Sequence, residues 1–123
     1  MSKNPKLAAV EQYISALSSH DMAVITDLYA DDAVLEDPVG SDPLVGKAAI
    51  VRFYEVAFSS GISARLDGPV RLVANHAVFP FVVELNPGNG EMRIDVIDQF
   101  TFNDDNKIVA MKAFWGEANM TTA

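Results

Sequence analysis

Cysteine is absent from the 123 residues of this chain, and basic side chains are scarce. Without a thiol there is no disulfide framework, no cysteine nucleophile and no thiolate zinc site. The absence of cysteine does not indicate whether the protein works in an oxidising or a reducing compartment. Nine lysines and arginines stand against 17 aspartates and glutamates, for a formal net charge of −8. Because phosphate binding requires concentrated positive charge, this balance argues against nucleic acid and anionic membranes, and it favours a neutral or apolar small ligand.

Long apolar runs are missing as well. No stretch approaches the roughly 18 residues of a membrane span, and no charged segment leads into an apolar one as in a signal peptide. We therefore expect a soluble, cytoplasmic protein that makes no use of a membrane. Half of the residues are hydrophobic, which is enough for a packed core. The length and the absence of a linker or repeat predict one domain over residues 1–123.

The first half of the chain has the spacing of amphipathic helices. Asn4-Pro5 is typical of a helix start, and apolar residues then recur every three or four positions as far as Leu17. Asp21 is a candidate cap for a second helix. We expect that helix to include Tyr29 and to end at Asp31-Asp32.

A short extended segment over 33–37 and a loop precede a third predicted helix over 47–58. The second half changes to the alternation of strands, which are predicted over 62–67, 70–76, 77–86, 91–103 and 107–116. Three helices followed by antiparallel strands predict an α+β fold, with the helices on one face of a curved, mainly antiparallel sheet. Such an arrangement is cone-shaped, and its mouth suits a ligand.

The strand "RIDVIDQF" contains an unusual aspartate. Alternate residues share a face, so Asp98 lies in a row with isoleucine, valine and two phenylalanines, while Asp95 lies on the other face beside Arg93. A carboxylate in an apolar row is unfavourable unless it is paired or protonated. Asp98 is therefore either a structural carboxylate with backbone or cationic partners, or an acid kept neutral so that it can donate a hydrogen bond.

Three tyrosines raise the same question on predicted helices. Tyr13, Tyr29 and Tyr54 all lie on apolar stripes, so each hydroxyl faces inward and needs a partner. Each tyrosine alone is compatible with an ordinary core position. Together they suggest a hydrogen-bonded network.

The segment "VLEDP" places Glu36 and Asp37 side by side. Because Pro38 disfavours the helical region for Asp37, the segment is expected to be extended. The two carboxylates then point to opposite sides, with Asp37 towards the cavity and Glu36 towards solvent or a sheet-edge partner.

Apolar strand faces supply candidate pocket walls, although alternation alone does not separate cavity lining from simple core. We expect the pocket to include Phe53, Val83, Leu85, Val96, Met111 and Trp115. Neither His20 nor His76 has metal-ligand spacing, and no phosphate-binding glycine loop or nucleophile elbow is present. We expect no metal site.

Several segments carry a family resemblance: "YISAL" at 13–17, "LYADDAVLEDPVGSDPLVGKAAIVRFY" at 28–54, "RLVAN" at 71–75 and "VIDQFTF" at 96–102. In order and spacing they resemble bacterial Δ5-3-ketosteroid isomerase (steroid delta-isomerase) of the NTF2-like, or SnoaL-like, superfamily, whose fold is the cone-shaped (cystatin-like) α+β domain. The resemblance implies that Asp37 is the general base and that Tyr13 and Asp98 form an oxyanion hole. It also implies that Tyr29 and Tyr54 extend the hydrogen-bond network and that Trp115 is an apolar wall. Asp95 departs from the neutral residue expected there.

The resemblance implies a reaction and its requirements. A 3-oxo-Δ5-steroid becomes its conjugated 3-oxo-Δ4 isomer when one proton moves from C4 to C6 through a dienolate. No cofactor is required. The resemblance also implies a homodimer packed through the open face of the sheet.

Two other classes of function stay open at this stage. One is a non-catalytic, ligand-binding member of the same fold. The other is a different enzyme on the scaffold, such as a polyketide cyclase, a dehydratase or an epoxide hydrolase. Dehydratases and cyclases commonly use a histidine beside the acid, and epoxide hydrolysis uses an Asp–Arg–Asp set, for which only Arg93 and Asp95 are candidates.

Overall fold

The computed structural model describes residues 4–122 and begins with two helices that carry the expected caps. α1 spans Pro5–Ser19, and the Asn4 side chain accepts hydrogen bonds from two backbone N–H groups of its first turn. α2 spans Met22–Leu28, and the Asp21 carboxylate accepts from a first-turn N–H at 3.2 Å. These contacts satisfy N–H groups that the start of a helix leaves without an intrahelical partner.

The chain enters its first strand earlier than the sequence predicts. β1 spans Tyr29–Glu36, so Tyr29 starts a strand and Asp31-Asp32 lies inside it. The prediction that α2 includes Tyr29 is therefore wrong. Tyr29 pairs in parallel with Ile108, and the register shifts before Val34. Pairing with a strand far along the chain outweighs the local helical spacing here.

The third helix and the later strands follow the predicted positions closely. α3 spans Lys47–Ser59. The remaining strands are β2 (Leu44–Val45), β3 (Ser63–Leu66), β4 (Arg71–Val73), β5 (His76–Leu85), β6 (Met92–Phe102), β7 (Ile108–Phe114) and β8 (Met120–Thr122). The predicted strands of the second half are confirmed to within a few residues. The sequence did not predict β2 and β8, which are two and three residues long.

Within residues 4–122 the strands form one eight-stranded sheet in the order β2-β1-β7-β6-β5-β3, with β4 also paired to β5 and β8 to β6. Every pair is antiparallel except β1 with β7. The three helices pack on this sheet: α1 contacts β3 and β5, and α3 contacts β1 and β2. The α+β class with a mainly antiparallel sheet is confirmed. No helix in this range is both long and apolar enough to span a membrane.

The core lies between α1, α3 and the inner faces of β5, β6 and β7. Its largest fully buried side chains include Tyr29, Tyr54, Phe79, Phe100 and Phe102. Along β6 the predicted alternation holds at every position, since residues 94, 96, 98, 100 and 102 are all buried and their neighbours are not. Asp98 is consequently held on the inner face, with 1 % of its surface exposed.

Candidate active site

Three tyrosine hydroxyls from three different elements form a buried chain. The Tyr13 Oη of α1 lies 3.0 Å from the Tyr54 Oη of α3, which in turn lies 2.6 Å from the Tyr29 Oη of β1. Burial is the largest cause that raises the pKa of each tyrosine well above its ordinary value, so all three hydroxyls keep their protons. Three protons serve two mutual hydrogen bonds, which leaves one hydroxyl proton for another acceptor.

Tyr13 sits at the end of this chain among aromatic rings. Its ring centroid lies 5.0 Å from that of Phe100, 6.3 Å from that of Phe79 and 6.5 Å from that of Phe81, each in an edge-on arrangement. Only 3% of the surface of Tyr13 is exposed, so the residue is shielded from water. Hydrogen bonds in such an environment are electrostatically stronger than in water.

Asp98 lies on β6, paired across the sheet with Phe79 of β5 and Ala113 of β7. Neither carboxyl oxygen has a hydrogen-bond partner among residues 4–122. Burial raises the pKa of Asp98 well above its usual value, and the negative charge of Asp37 raises it further, while the nearby Tyr13 hydroxyl acts in the opposite direction. The balance favours the protonated acid, which has an O–H to donate.

Asp37 follows β1 directly and is less deeply enclosed than Asp98. Its Oδ1 accepts a hydrogen bond of 2.7 Å from the indole Nε1 of Trp115, the residue after β7. Burial raises the pKa of Asp37, and the Trp115 hydrogen bond partly offsets this because it favours the carboxylate. Asp37 also raises the pKa of Tyr13 by its charge, which places the three groups in one electrostatic neighbourhood.

The hydrogen bond from Trp115 is the contact that sequence reasoning missed. The residue was expected to act only as an apolar wall. A half-buried indole N–H needs an acceptor, and the chain has a single tryptophan. Its partner could not be named from the sequence, because Asp37 and Trp115 are brought together only by the parallel pairing of β1 with β7.

The other residues expected in the pocket all lie in or against the core. Met111, Val83 and Val96 are buried, and Phe53, Leu85 and Trp115 are partly buried. A cavity of about 410 Å³ opens beside Trp115 and includes Val96 in its lining, while Leu85 lines a separate cavity of about 480 Å³ near the start of β6. The assignment of these residues to a ligand pocket stays a prediction.

The polar residues that other reactions on this fold would use contact different groups. Asp95 pairs with Arg93 at 3.2 Å on the exposed face of β6, as the alternation predicted. The Nε2 of His20 contacts the Ile62 carbonyl oxygen at 2.8 Å, and the Nδ1 of His76 contacts the Thr101 hydroxyl at 3.2 Å. In the described part of the chain no three histidine or acidic side chains converge to hold a metal ion.

The sequence is similar to a known domain family and to two named enzymes. Residues 10–111 match the model of the SnoaL-like domain family. The steroid Delta-isomerase of Nocardioides simplex is 42% identical over 113 residues, which cover 92% of this chain and 91% of that protein. The epoxide hydrolase LasB of Streptomyces lasalocidi is 26% identical over 113 residues, and the match covers 85% of this chain but only 39% of that protein.

Among solved structures, the epoxide hydrolase/cyclase-like enzyme SalBIII, studied for pyran ring formation in polyether salinomycin, superposes with a TM-score of 0.89. The match covers 96% of this chain and 95% of that chain at 22% sequence identity. At this identity the likeness concerns the fold alone.

Proposed function

Because the chain belongs to the SnoaL-like domain family and is a homologue of steroid Delta-isomerase, we propose that it converts 3-oxo-Δ5-steroids to 3-oxo-Δ4-steroids. Asp37 is the general base and Tyr13 and Asp98 are the oxyanion donors. The observation that carries the proposal is the buried carboxyl of Asp98, which lacks a partner among residues 4–122 and lies beside the tyrosine chain and the charge of Asp37.

The reaction starts with the transfer of a proton from C4 of the steroid to the Asp37 carboxylate. The electrons of the broken C–H bond form the C3–C4 double bond of a dienolate, and the carbonyl π electrons move onto the C3 oxygen, which becomes negatively charged. Asp37 then returns the same proton at C6, and the dienolate collapses to the conjugated enone. A base of this kind must be ionised at rest and basic enough to accept a proton, which a partly buried carboxylate with one donor can achieve.

The developing oxyanion is stabilised by two neutral donors. Tyr13 can donate because the tyrosine chain has one proton more than its mutual bonds require. Asp98 can donate because its environment favours the protonated acid. Preorganised donors in a water-excluding site are usually the largest electrostatic contribution to such a reaction.

The proposal is tested by mixing the protein with 5-androstene-3,17-dione and following the ultraviolet absorbance of the conjugated enone. We expect turnover by the unaltered protein, the largest loss in Asp37→Asn, and losses on the order of 100- to 1000-fold in kcat for Tyr13→Phe and Asp98→Ala. Asp95→Asn, on the opposite face of β6, is the control and should keep its activity. If Asp37→Asn retained full turnover, Asp37 would not be the base.

The alternative enzymes find less support in the geometry. Epoxide hydrolysis by an Asp–Arg–Asp set would need an arginine beside the site, but Arg93 is exposed and paired with Asp95. A dehydratase or cyclase would need a histidine beside Asp37, whereas His20 and His76 contact other groups. A non-catalytic binding domain would bind the steroid in the same assay and form no enone.

We propose in addition that the chain acts as a single domain and that two copies pair through the outer face of the sheet. Exposed Ile97 and Phe114 on that face support the pairing. The expected cytoplasmic location stays a prediction.

A further inference from the structure

The carboxylate next to the base makes a contact of its own. Glu36 was expected to face solvent or a sheet-edge partner, and its contact differs from that of Asp37. Its Oε2 accepts a hydrogen bond of 2.7 Å from the backbone N–H of Gly40. We propose that Glu36 is a positioning residue for Asp37: its carboxylate closes the loop that carries the base. This inference rests on the proposed function.

The loop between Glu36 and Gly40 is short and is anchored at several points. The N–H of Val39 donates to the Ala113 carbonyl of β7 at 2.9 Å, and the N–H of Ser41 donates to the Pro38 carbonyl at 3.0 Å. Gly40 has a φ of 102°, a conformation that side-chain-bearing residues rarely adopt. The Glu36–Gly40 hydrogen bond joins the two ends of this loop, and Asp37 lies inside the ring that it closes.

Two contacts therefore constrain Asp37 from different directions. The Trp115 indole holds the carboxylate itself, at 2.7 Å from Oδ1. The Glu36 carboxylate holds the backbone on which Asp37 is mounted. Ala113, which anchors Val39, lies at the end of β7, and Trp115 follows β7 directly, so the loop and the indole share one support.

Precise placement matters for the proposed reaction because one carboxylate must reach C4 and then C6. A misplacement of about 1 Å in a reacting group can lower a rate by roughly 100-fold. A loose loop would affect proton transfer more than steroid binding, since the expected pocket residues on β5 and β6 lie outside it. The expected signature is a loss in kcat with little change in KM.

Three variants separate the hydrogen bond from the charge of Glu36. Glu36→Gln keeps an acceptor oxygen and removes the charge, whereas Glu36→Ala removes both. We expect Glu36→Ala to lower kcat by about 10- to 100-fold with KM nearly unchanged, and Glu36→Gln to recover most of the activity. Glu36→Met, which keeps the length of the side chain without the oxygen, replaces Glu36→Ala if that variant does not fold. Glu84→Ala, an exposed carboxylate on β5 paired with Arg65, is the control.

A second measurement does not depend on turnover. Hydrogen exchange at the Gly40 amide should be faster in Glu36→Ala than in Glu36→Gln or the unaltered protein. The emission of Trp115, the single tryptophan of the chain, should shift in Glu36→Ala alone. If the unaltered protein forms no enone while these changes appear, the proposed function fails and the positioning contact stands.

The inference is overturned by either of two results. In one, Glu36→Ala leaves kcat, Gly40 exchange and Trp115 emission unchanged. In the other, Glu36→Gln is as damaging as Glu36→Ala in all three, which would mean that the charge matters and the acceptor oxygen does not.

Discussion

At the scale of single residues, Asp37 and Asp98 are both partly or fully buried, yet the proposed reaction needs them in opposite protonation states. Burial raises the pKa of both. Asp37 has a donor in Trp115 that favours its carboxylate, while Asp98 has no hydrogen-bond partner within residues 4–122 and faces the charge of Asp37. The first of the pair to ionise is therefore Asp37, and its charge then helps to keep Asp98 protonated.

The Trp115 hydrogen bond should control the pH dependence of Asp37, the proposed base. Trp115→Phe removes the N–H that lowers the pKa of Asp37, so that pKa should rise. Because the base must be ionised to act, the acid limb of the kcat/KM profile should move to higher pH. Steady-state rates between pH 4 and pH 9 measure this. Ile108→Val, a change at a buried core residue outside the expected pocket, is the control and should leave the limb in place; an unshifted limb in Trp115→Phe would contradict the assignment.

Asp98 should make the protein less stable as the pH rises. Its folded pKa is raised by burial, so between the ordinary aspartate value of about 3.9 and that raised value the folded state binds more protons than the unfolded state. The free energy of unfolding must then fall with rising pH, by up to about 1.4 kcal/mol per unit for this one group. Below a pH of about 3.9, Asp98 is protonated in both states, so its contribution to the free energy of unfolding does not change with pH.

Asp98→Asn tests this linkage, because the amide is neutral at every pH. In urea denaturation, the variant should gain stability relative to the unaltered protein as the pH rises through the window. If the difference between the two proteins were independent of pH, Asp98 would already be ionised in the folded state, and its role as a neutral donor would be wrong. Kinetically, Asp98→Asn should retain more activity than Asp98→Ala because the amide N–H can still donate.

At the scale of elements, the tyrosine chain links α1, α3 and β1 through its hydroxyls. Tyr54 is the central member and contacts both neighbours, whereas Tyr29 is a terminal member. Loss of the Tyr54 hydroxyl leaves two buried hydroxyls without this partner, and loss of the Tyr29 hydroxyl leaves Tyr54 one contact short. An unsatisfied buried polar group costs about 1–3 kcal/mol.

Tyr54→Phe should therefore be less stable than Tyr29→Phe, by about 1–3 kcal/mol in chemical denaturation. We also expect Tyr54→Phe to lower kcat more than Tyr29→Phe, because Tyr54 contacts the proposed oxyanion donor Tyr13 directly. Both losses should be smaller than that of Tyr13→Phe. Equal effects of Tyr54→Phe and Tyr29→Phe on stability would show that the hydroxyls do not act as a chain.

The elements that could be predicted from the sequence are those with a long regular period. β6 has 11 residues of unbroken alternation, and its pattern gave the buried position of Asp98 correctly. The start of β1 was missed because Tyr29 continues a helical spacing locally, and its strand conformation depends on β7, which lies far along the chain. The spacing of apolar residues within a short segment contains no information about pairing with a strand far along the chain.

The same limit applies to the site. Inward hydroxyls could be inferred for Tyr13 and Tyr54 from their helical stripes, but their 3.0 Å contact depends on how α1 and α3 pack. The Glu36 contact with Gly40 is local in sequence and still escaped prediction. The alternation of a strand predicts the face from which a side chain leaves the backbone. It does not predict that the flexible Glu36 side chain bends towards the following turn and accepts from Gly40.

At the scale of the whole molecule, the outer face of the sheet carries an apolar row across three strands. Pro80 of β5 pairs with Ile97 of β6, and Ile97 pairs with Phe114 of β7, so the three side chains lie side by side. Ile97 and Phe114 are 45% and 43% exposed. Contiguous exposed apolar surface of this kind is typical of an interaction site.

If this row is the dimer interface, a charge placed in it should dissociate the protein. Ile97→Lys buries an unpaired ammonium group at the proposed interface and should raise the dimer dissociation constant by at least tenfold, since a desolvated charge without a partner is strongly unfavourable. Val56→Lys, on α3 at a site that is 71% exposed, is the matched control and should leave the association unchanged. Sedimentation equilibrium measures both. If the unaltered protein were a monomer at all concentrations, the proposed dimer would not exist. If it dimerised and Ile97→Lys left the dissociation constant unchanged, the dimer interface would lie elsewhere on the surface.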